Sequence, residues 1–528
     1  MSDQTPEPAG GQAATQAAAD DFTDSTRAGV APGTRAPKLW EALLAVAILV
    51  VLVLSAVVLF GTDATGGPLQ VALLIAAVCA GFIGLRLGMS TSRIRDAAVG
   101  GVSSAMGAIF ILLAVGALIG TWNMAGTIPT VVYYGIGLLQ PAVFYLSAAL
   151  ICALVGLVIG SSWTTAATLG VALVALAPLL GASPAIAAGA VVSGAYFGDK
   201  MSPLSETTVL VPSMVGGVTV FQHIGAMVWT SGPAFIIALA IFTLLGLLGV
   251  GEGTFDRAAA QATLAAEFNI SLLNLLPLLL LLILSLRRVP SFLTILASAL
   301  FAGVLAWFTQ PELVVRFAGE TEASLRTGVE ALYSAMATGF VSTTGIAPID
   351  ELFSRGGMSS MLFTIWLVLG ALSYASIVEQ AGVLHRLIEP LVQRARSTGR
   401  LIATVIGTAI GLNVIAGDQY VAIVMPSRVY RLSFRQRGLA PRMLSRAVED
   451  SGTVTSPLVP WNSCGAYMAG VLGVTTLAYL PYAFFNLLSP LVSLIYGFTG
   501  FRIEHVDDAD AGDQSPAPDR PAPAPSAG

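Results

Sequence analysis

From Ala97 to Val250 the chain carries only three formal charges, and all three fall inside Gly198-Asp-Lys-Met-Ser-Pro-Leu-Ser-Glu-Thr-Thr208. The rest of that stretch is overwhelmingly apolar, which a bilayer requires and a water-soluble domain does not tolerate. A charge near the bilayer centre costs about 2.5–3.5 kcal/mol on insertion scales, so ionisable groups kept there mark ion or substrate pathways. Asp199, Lys200 and Glu206 are therefore the first functional candidates.

The full chain agrees with this reading. Its 528 residues are 55% hydrophobic and 10% charged, against about 25% charged in ordinary soluble domains. The fold class expected is an all-α polytopic membrane protein. A bilayer core takes about 20 apolar residues as helix, and the hydropathy pattern gives 12 to 14 membrane elements, several of them broken or re-entrant. Residues 1–36 and 506–528, rich in Ala, Gly, Pro and Asp, read as disordered tails around a membrane domain at 37–500. The run Leu39–Phe60 lies too far in for a cleaved signal peptide and reads as a retained helix. Cys79, Cys152 and Cys464 are far apart in apolar surroundings, and His223, His385 and His505 lack metal spacing, so no disulfide, metal or other cofactor is expected. A net charge of -5 argues against nucleic-acid binding. The partners expected are the lipid bilayer and small ions, and a homodimer is among the assemblies open to such a chain.

Polar breaks recur in the two halves. Gly160 precedes Asp199 by the same 39 residues that separate Gly411 from Asp450, and Asp199-Lys-Met-Ser-Pro-Leu204 returns, with extra residues, as Asp450-Ser-Gly-Thr-Val-Thr-Ser-Pro-Leu458. This spacing predicts an internal repeat with an offset of about 251, the first copy at about 90–250 and the second at about 340–500. Loop charge predicts how the copies are oriented. Arg428, Arg431, Arg435, Arg437, Arg442 and Arg446 fill one loop of the second half, whereas its counterpart, Pro178-Leu-Leu-Gly-Ala-Ser-Pro184, has no charge. By the positive-inside rule, corresponding loops lie on opposite sides of the membrane, so the repeats are inverted, and the N-terminus is expected in the cytoplasm.

Backbone that leaves helical geometry inside a bilayer survives only where protein or a wet cavity covers it. Pro203 breaks the helix near Ser202. Freed carbonyls, the hydroxyls of Ser202, Ser205 and Thr207, and the carboxylates of Asp199 and Glu206 make a hard oxygen environment suited to Na+. Lys200 reads as a counter-charge held by Asp199 or as an interfacial residue. In the second half, Asp418 and Asp450 follow the same logic, with Thr453, Ser456 and Asn462 supplying oxygens. Glu449 reads as the interfacial member of the Glu449–Asp450 pair. Ser161, Ser162, Trp163, Thr164, Gln419 and Trp461 sit in the breaks and are expected to line the site. A buried carboxylate is neutralised by either a proton or a metal cation, and competition between the two is the simplest coupling of Na+ to H+.

Ser193-Gly-Ala-Tyr-Phe-Gly-Asp-Lys-Met-Ser-Pro-Leu-Ser-Glu-Thr-Thr208 and Leu444-Ser-Arg-Ala-Val-Glu-Asp-Ser-Gly-Thr-Val-Thr-Ser-Pro-Leu-Val-Pro-Trp-Asn-Ser-Cys-Gly-Ala-Tyr467 resemble the two signature regions of the NhaC sodium/proton antiporters. Gly120-Thr-Trp, Gly126-Thr-Ile-Pro-Thr130, Gly160-Ser-Ser-Trp163 and Gly417-Asp-Gln-Tyr420 are similar to that family too. The resemblance covers roughly residues 39–500. It implies a transporter with inverted repeats that exchanges Na+ for H+ across a prokaryotic plasma membrane, with Na+ held at Asp199, Glu206, Asp418 and Asp450. Two departures stand out: Glu206-Thr-Thr-Val209 where Asp-Thr-Thr-Asn is common, and Thr164 where Gly is common. Similar proteins also exchange malate and lactate, so an exchanger of a small organic solute driven by Na+ or H+ is the alternative. An intramembrane aspartyl protease is not supported, because Ile415 occupies the first Gly position of the pattern that Gly417-Asp418 would need. The chain therefore does not read as an enzyme.

Overall fold

The computed structural model describes residues 34–249, 257–343, 350, 353–395 and 397–506. The tails expected at 1–36 and 506–528 lie outside the described residues, apart from 34–36 and 506. Among the described residues the secondary structure is helical throughout, with a lone β-bridge between Leu439 and His505. The first helix, Leu39–Phe60, starts at a tight cap. Glu41 accepts from the Lys38 backbone N–H at 2.8 Å and pairs with Arg35 at 2.5 Å, so the anchored chain begins just inside the expected tail.

Nine helices among the described residues are long and apolar enough to cross a bilayer, or eleven if each of two sharply bent pairs forms one span. Two shorter apolar helices, Thr127–Leu138 and Phe484–Thr499, join them, in keeping with the 12 to 14 membrane elements expected, several of them broken. Gly, Pro and polar residues cut several apolar runs into shorter pieces. The apolar run at 328–343 is a 13-residue helix, Leu325–Ala337, followed by irregular chain. The one at 97–121 crosses as Met106–Met124, preceded by the separate helix Thr91–Ser104. The one at 451–475 becomes a π-helical turn (Glu449–Thr453), a 3-10 turn (Ser456–Leu458) and the helix Ser463–Leu472, which is bent by 90° against Thr476–Tyr482. A second π-helical turn, Ala166–Gly170, interrupts the first half.

Buried apolar side chains form two clusters. One gathers Met106–Met124, Phe144–Ile159, Pro184–Met201 and Ser291–Thr309; the other gathers Leu39–Phe60, Pro68–Arg86, Leu362–Gln380 and Thr398–Ile415. The chain crosses between clusters at the polar breaks: Tyr196 belongs to the first and Val211 to the second, Val448 to the second and Val454 to the first. Polar residues thus occupy the seam between two apolar bodies.

The helix bearing Asp199 is seated by small residues. A Cβ on Gly194 would lie 2.1 Å from the Ala149 carbonyl oxygen, and one on Gly198 would lie 2.2 Å from that of Ala153. Membrane helices associate through such close backbone approach because lipid supplies no hydrophobic driving force between them. Gly194→Val should force Pro184–Met201 away from Phe144–Ile159, cost on the order of 1–3 kcal/mol, and lower the melting temperature of the detergent-solubilised protein. An unchanged melting temperature would show that the contact is not needed.

Candidate functional site

Each expected break is present as a local device. Phe144–Ile159 stops at Gly160, whose φ of +72° ends the helix in left-handed geometry. Ser161 then caps Ser162–Thr165, accepting from the Thr164 backbone N–H at 3.2 Å and from its hydroxyl at 3.1 Å. Pro184–Met201 ends before Pro203. The freed carbonyl of Lys200 accepts from the Thr208 hydroxyl at 3.1 Å, and Ser205 caps Glu206–Val215. In the second half, Asp418 caps Gln419–Val429, accepting from the Val421 N–H at 3.0 Å. Asn462 caps Ser463–Leu472 through the Cys464 N–H at 3.0 Å.

The breaks meet in pairs. The Asp199 carboxylate accepts from the Ser162 N–H at 3.0 Å, joining the first two, with the Ser205 hydroxyl also facing it. The Ser463 N–H donates to the Gly417 carbonyl at 2.9 Å, and the Ser456 hydroxyl to Gln419 Oε1 at 2.8 Å, joining the other two. Asn413 ties them further, donating to the Gly452 carbonyl at 2.6 Å and Thr455 Oγ1 at 3.0 Å while accepting from Asn462 at 3.0 Å.

The halves are then locked across the seam. Lys200 donates to Asp450 in an ion pair whose two side chains are fully buried. Ser489 Oγ lies 3.3 Å from the ammonium, and Thr230 donates to the same Asp450 oxygen at 3.0 Å. The partner of Lys200 is thus Asp450 rather than Asp199, and Lys200 is not interfacial. The cause is helical geometry: adjacent residues point about 100° apart, so Asp199 faces the first break while Lys200 faces the second half. Trp163 stacks on Tyr467 with ring centroids 3.9 Å apart. Trp461 donates to the Val414 carbonyl at 2.7 Å, which fixes it as a packing anchor.

Two carboxylates depart from expectation. Glu206 is exposed and accepts from the Tyr420 hydroxyl at 2.8 Å. Glu449, expected at an interface, is fully buried, because the helix Pro441–Val448 carries it inward past the basic loop. Among the described residues no three His, Cys, Asp or Glu side chains lie close enough to hold one metal ion. Asp199, Glu206, Asp418 and Asp450 therefore do not come together as one ligand set. Asp199 and Asp418 form no ion pair among the described residues, and each receives a backbone N–H at a helix N-terminus. Thr207 and Thr453 are buried near Glu449. Sequence reasoning overlooked Thr230, Ser489 and Asn413 and gave no separate role to Tyr420 and Tyr467; all are polar residues inside apolar helices, which was the available signal.

A sequence model of the Na+/H+ antiporter family matches residues 34–217 and 194–501. The chain belongs to the Na+/H+ antiporter family. It is 38% identical over 436 residues to the Na(+)/H(+) antiporter NhaC of Alkalihalophilus pseudofirmus, covering 83% of this chain and 90% of that one. It is 34% identical to the malate-2H(+)/Na(+)-lactate antiporter of Bacillus subtilis, over 88% of this chain and 96% of that one. It is also 35% identical to the arginine/ornithine antiporter ArcD of Halobacterium salinarum, over 91% and 96%. As a member of this family the chain is a multi-pass membrane transporter and not an enzyme.

A buried ion pair broken from one side leaves an uncompensated charge, costing about 3–5 kcal/mol. Lys200→Met should lose about that much stability, and adding Asp450→Asn to the same chain should recover most of it, as read by thermal melting in detergent. Equal melting of the single and double variants would contradict the pairing.

Proposed function

We propose that the protein exchanges Na+ for H+ across a prokaryotic plasma membrane by alternating access, with Asp199 and Asp418 as the carboxylates for which the two cations compete. The observation that carries this reading is their shared setting. Each lies in a break, lacks a cationic partner among the described residues, and accepts a backbone N–H at the start of a helix. Those N–H groups and the helix dipole hold the carboxylate without neutralising it. Neutralisation is left to the transported cation. Around Asp199, the hydroxyls of Ser162 and Ser205 offer hard oxygens for Na+.

The Lys200–Asp450 pair carries no net charge and crosses with its helices at little electrostatic cost. An empty site with bare Asp199 or Asp418 carries a full charge and does not cross, so Na+ and H+ exchange for each other. The halves related by the offset of about 251 residues act as inverted repeats in this reading, with the seam as the surface along which they move.

A second reading keeps the architecture and adds an organic solute. It is favoured by Glu206, which turns away to Tyr420 rather than joining Asp199, and by relatives whose names carry malate, lactate, arginine and ornithine.

Proteoliposomes with an acid interior and a pH dye should alkalinise inside when Na+ is added outside, and Asp199→Asn and Asp418→Asn should each reduce the rate at least tenfold, equivalent to about 1.4 kcal/mol. No response to Na+ alone, with a response once malate, lactate or a basic amino acid is present, would select the second reading.

A further inference from the structure

The exchange cycle uses Asp199 and Asp418 and leaves Glu449 without a task. Glu449 is 0% exposed, and neither of its carboxylate oxygens has a hydrogen-bond donor among the described residues. Opposite it stands His223, also fully buried, with Nε2 3.9 Å from Glu449 Oε2 and without another partner.

The far side of the ring sets its tautomer. The Ser445 hydroxyl donates to the Arg442 carbonyl at 3.1 Å, which leaves its oxygen to accept from His223 Nδ1 at 2.9 Å. With that hydroxyl turned to Arg442, Nδ1 carries the hydrogen, and in the neutral ring Nε2 presents a lone pair to the carboxylate. Two acceptors facing each other out of reach of solvent are unfavourable, and one proton lets them close from 3.9 Å to hydrogen-bond distance as donor and acceptor.

We propose that Glu449 and His223 share one proton and form a proton-carrying station of the exchanger, next to the Lys200–Asp450 pair. The inference deepens the exchange reading and rests on it. The step is a simple proton transfer: Glu449 gains an O–H bond and donates it to Nε2, and release reverses this without any other bond changing.

The surroundings suit the task. Lys200 and Asp199 act electrostatically on Glu449 from Pro184–Met201, Asp450 is its neighbour on the same turn, and Arg446 is buried on the preceding helix. Asn413 and Ser489 come from the helices Thr398–Ile415 and Phe484–Thr499. The remaining charges on elements packed against this turn look elsewhere: Glu206 to Tyr420, Arg428 to Met214, Arg442 to Glu504, and Arg400 to the exterior. The Thr453 and Thr207 hydroxyls face Glu449; that of Thr207 lies 3.2 Å from Ser205 Oγ, and Ser205 faces Asp199. A row of hydroxyls thus leads from the shared proton to the cation site.

The test uses the purified full-length protein. Infrared difference spectra between acid and alkaline pH should show a carboxylic-acid C=O band that Glu449→Gln removes and His223→Gln displaces. In proteoliposomes, the H+ to Na+ ratio obtained from the reversal potential should fall by one in Glu449→Gln. The Gln amide of His223→Gln can donate to an ionised Glu449, so the pH midpoint of transport should move down by about one unit, a tenfold change in proton affinity. Should Glu449→Gln fail to fold, His223→Gln carries the test through its midpoint and band. An unchanged band, ratio and midpoint would overturn the proposal. Wild-type vesicles without Na+-dependent proton flux would end the exchange reading instead, and the infrared band would still decide whether the pair holds a proton.

Discussion

The buried bond between Lys200 and Asp450 organises the centre of this protein. It joins residues 250 positions apart, from the two segments where helices cross between the apolar clusters. Removing two charges from water costs several kcal/mol each, recovered only where geometry and further hydrogen bonds are good. Ser489 and Thr230 supply such bonds here. With Lys200 and Asp450 committed to each other, their sequence neighbours are turned elsewhere, Asp199 towards Ser162 and Glu449 towards His223. One ion pair thereby sorts four adjacent ionisable groups into three separate environments.

The breaks around that pair are stitched by side chains brought from a distance. Asn486 donates to the Val454 carbonyl at 2.7 Å, Tyr479 to that of Pro457 at 2.5 Å, and Asn413 to that of Gly452 at 2.6 Å. Irregular backbone at membrane depth has no solvent to rely on, so every freed carbonyl needs a donor from elsewhere in the protein. These contacts tie the irregular segments into a single polar layer.

Much of this layer was legible in the sequence. Charges and Pro residues inside apolar runs are costly enough to be conspicuous, which is why 198–208, 417–420 and 450–463 could be singled out. Partnership was not legible. Nothing local distinguishes Lys200 paired with Asp199 from Lys200 paired with Asp450, and the basic loop beside Glu449 made an interfacial position the natural reading. A lone His223 carried no motif at all, and its meaning comes only from Ser445 and Glu449 across the fold. Which elements span was less legible for a related reason: composition registers an apolar run, whereas a Gly or Pro within it decides whether that run crosses.

The two π-helical turns have a consequence for side-chain direction. Each contains one residue more than an α-helical turn would, so everything beyond it is rotated by about 100° relative to an uninterrupted helix. Past Glu449–Thr453 this phase shift decides which way Thr455 and Ser456 point, and past Ala166–Gly170 it sets the facing of Val171–Leu179. A one-residue deletion within either turn would leave composition and hydropathy almost unchanged while throwing the following segment out of phase. In these two stretches the count of residues is constrained as well as their identity.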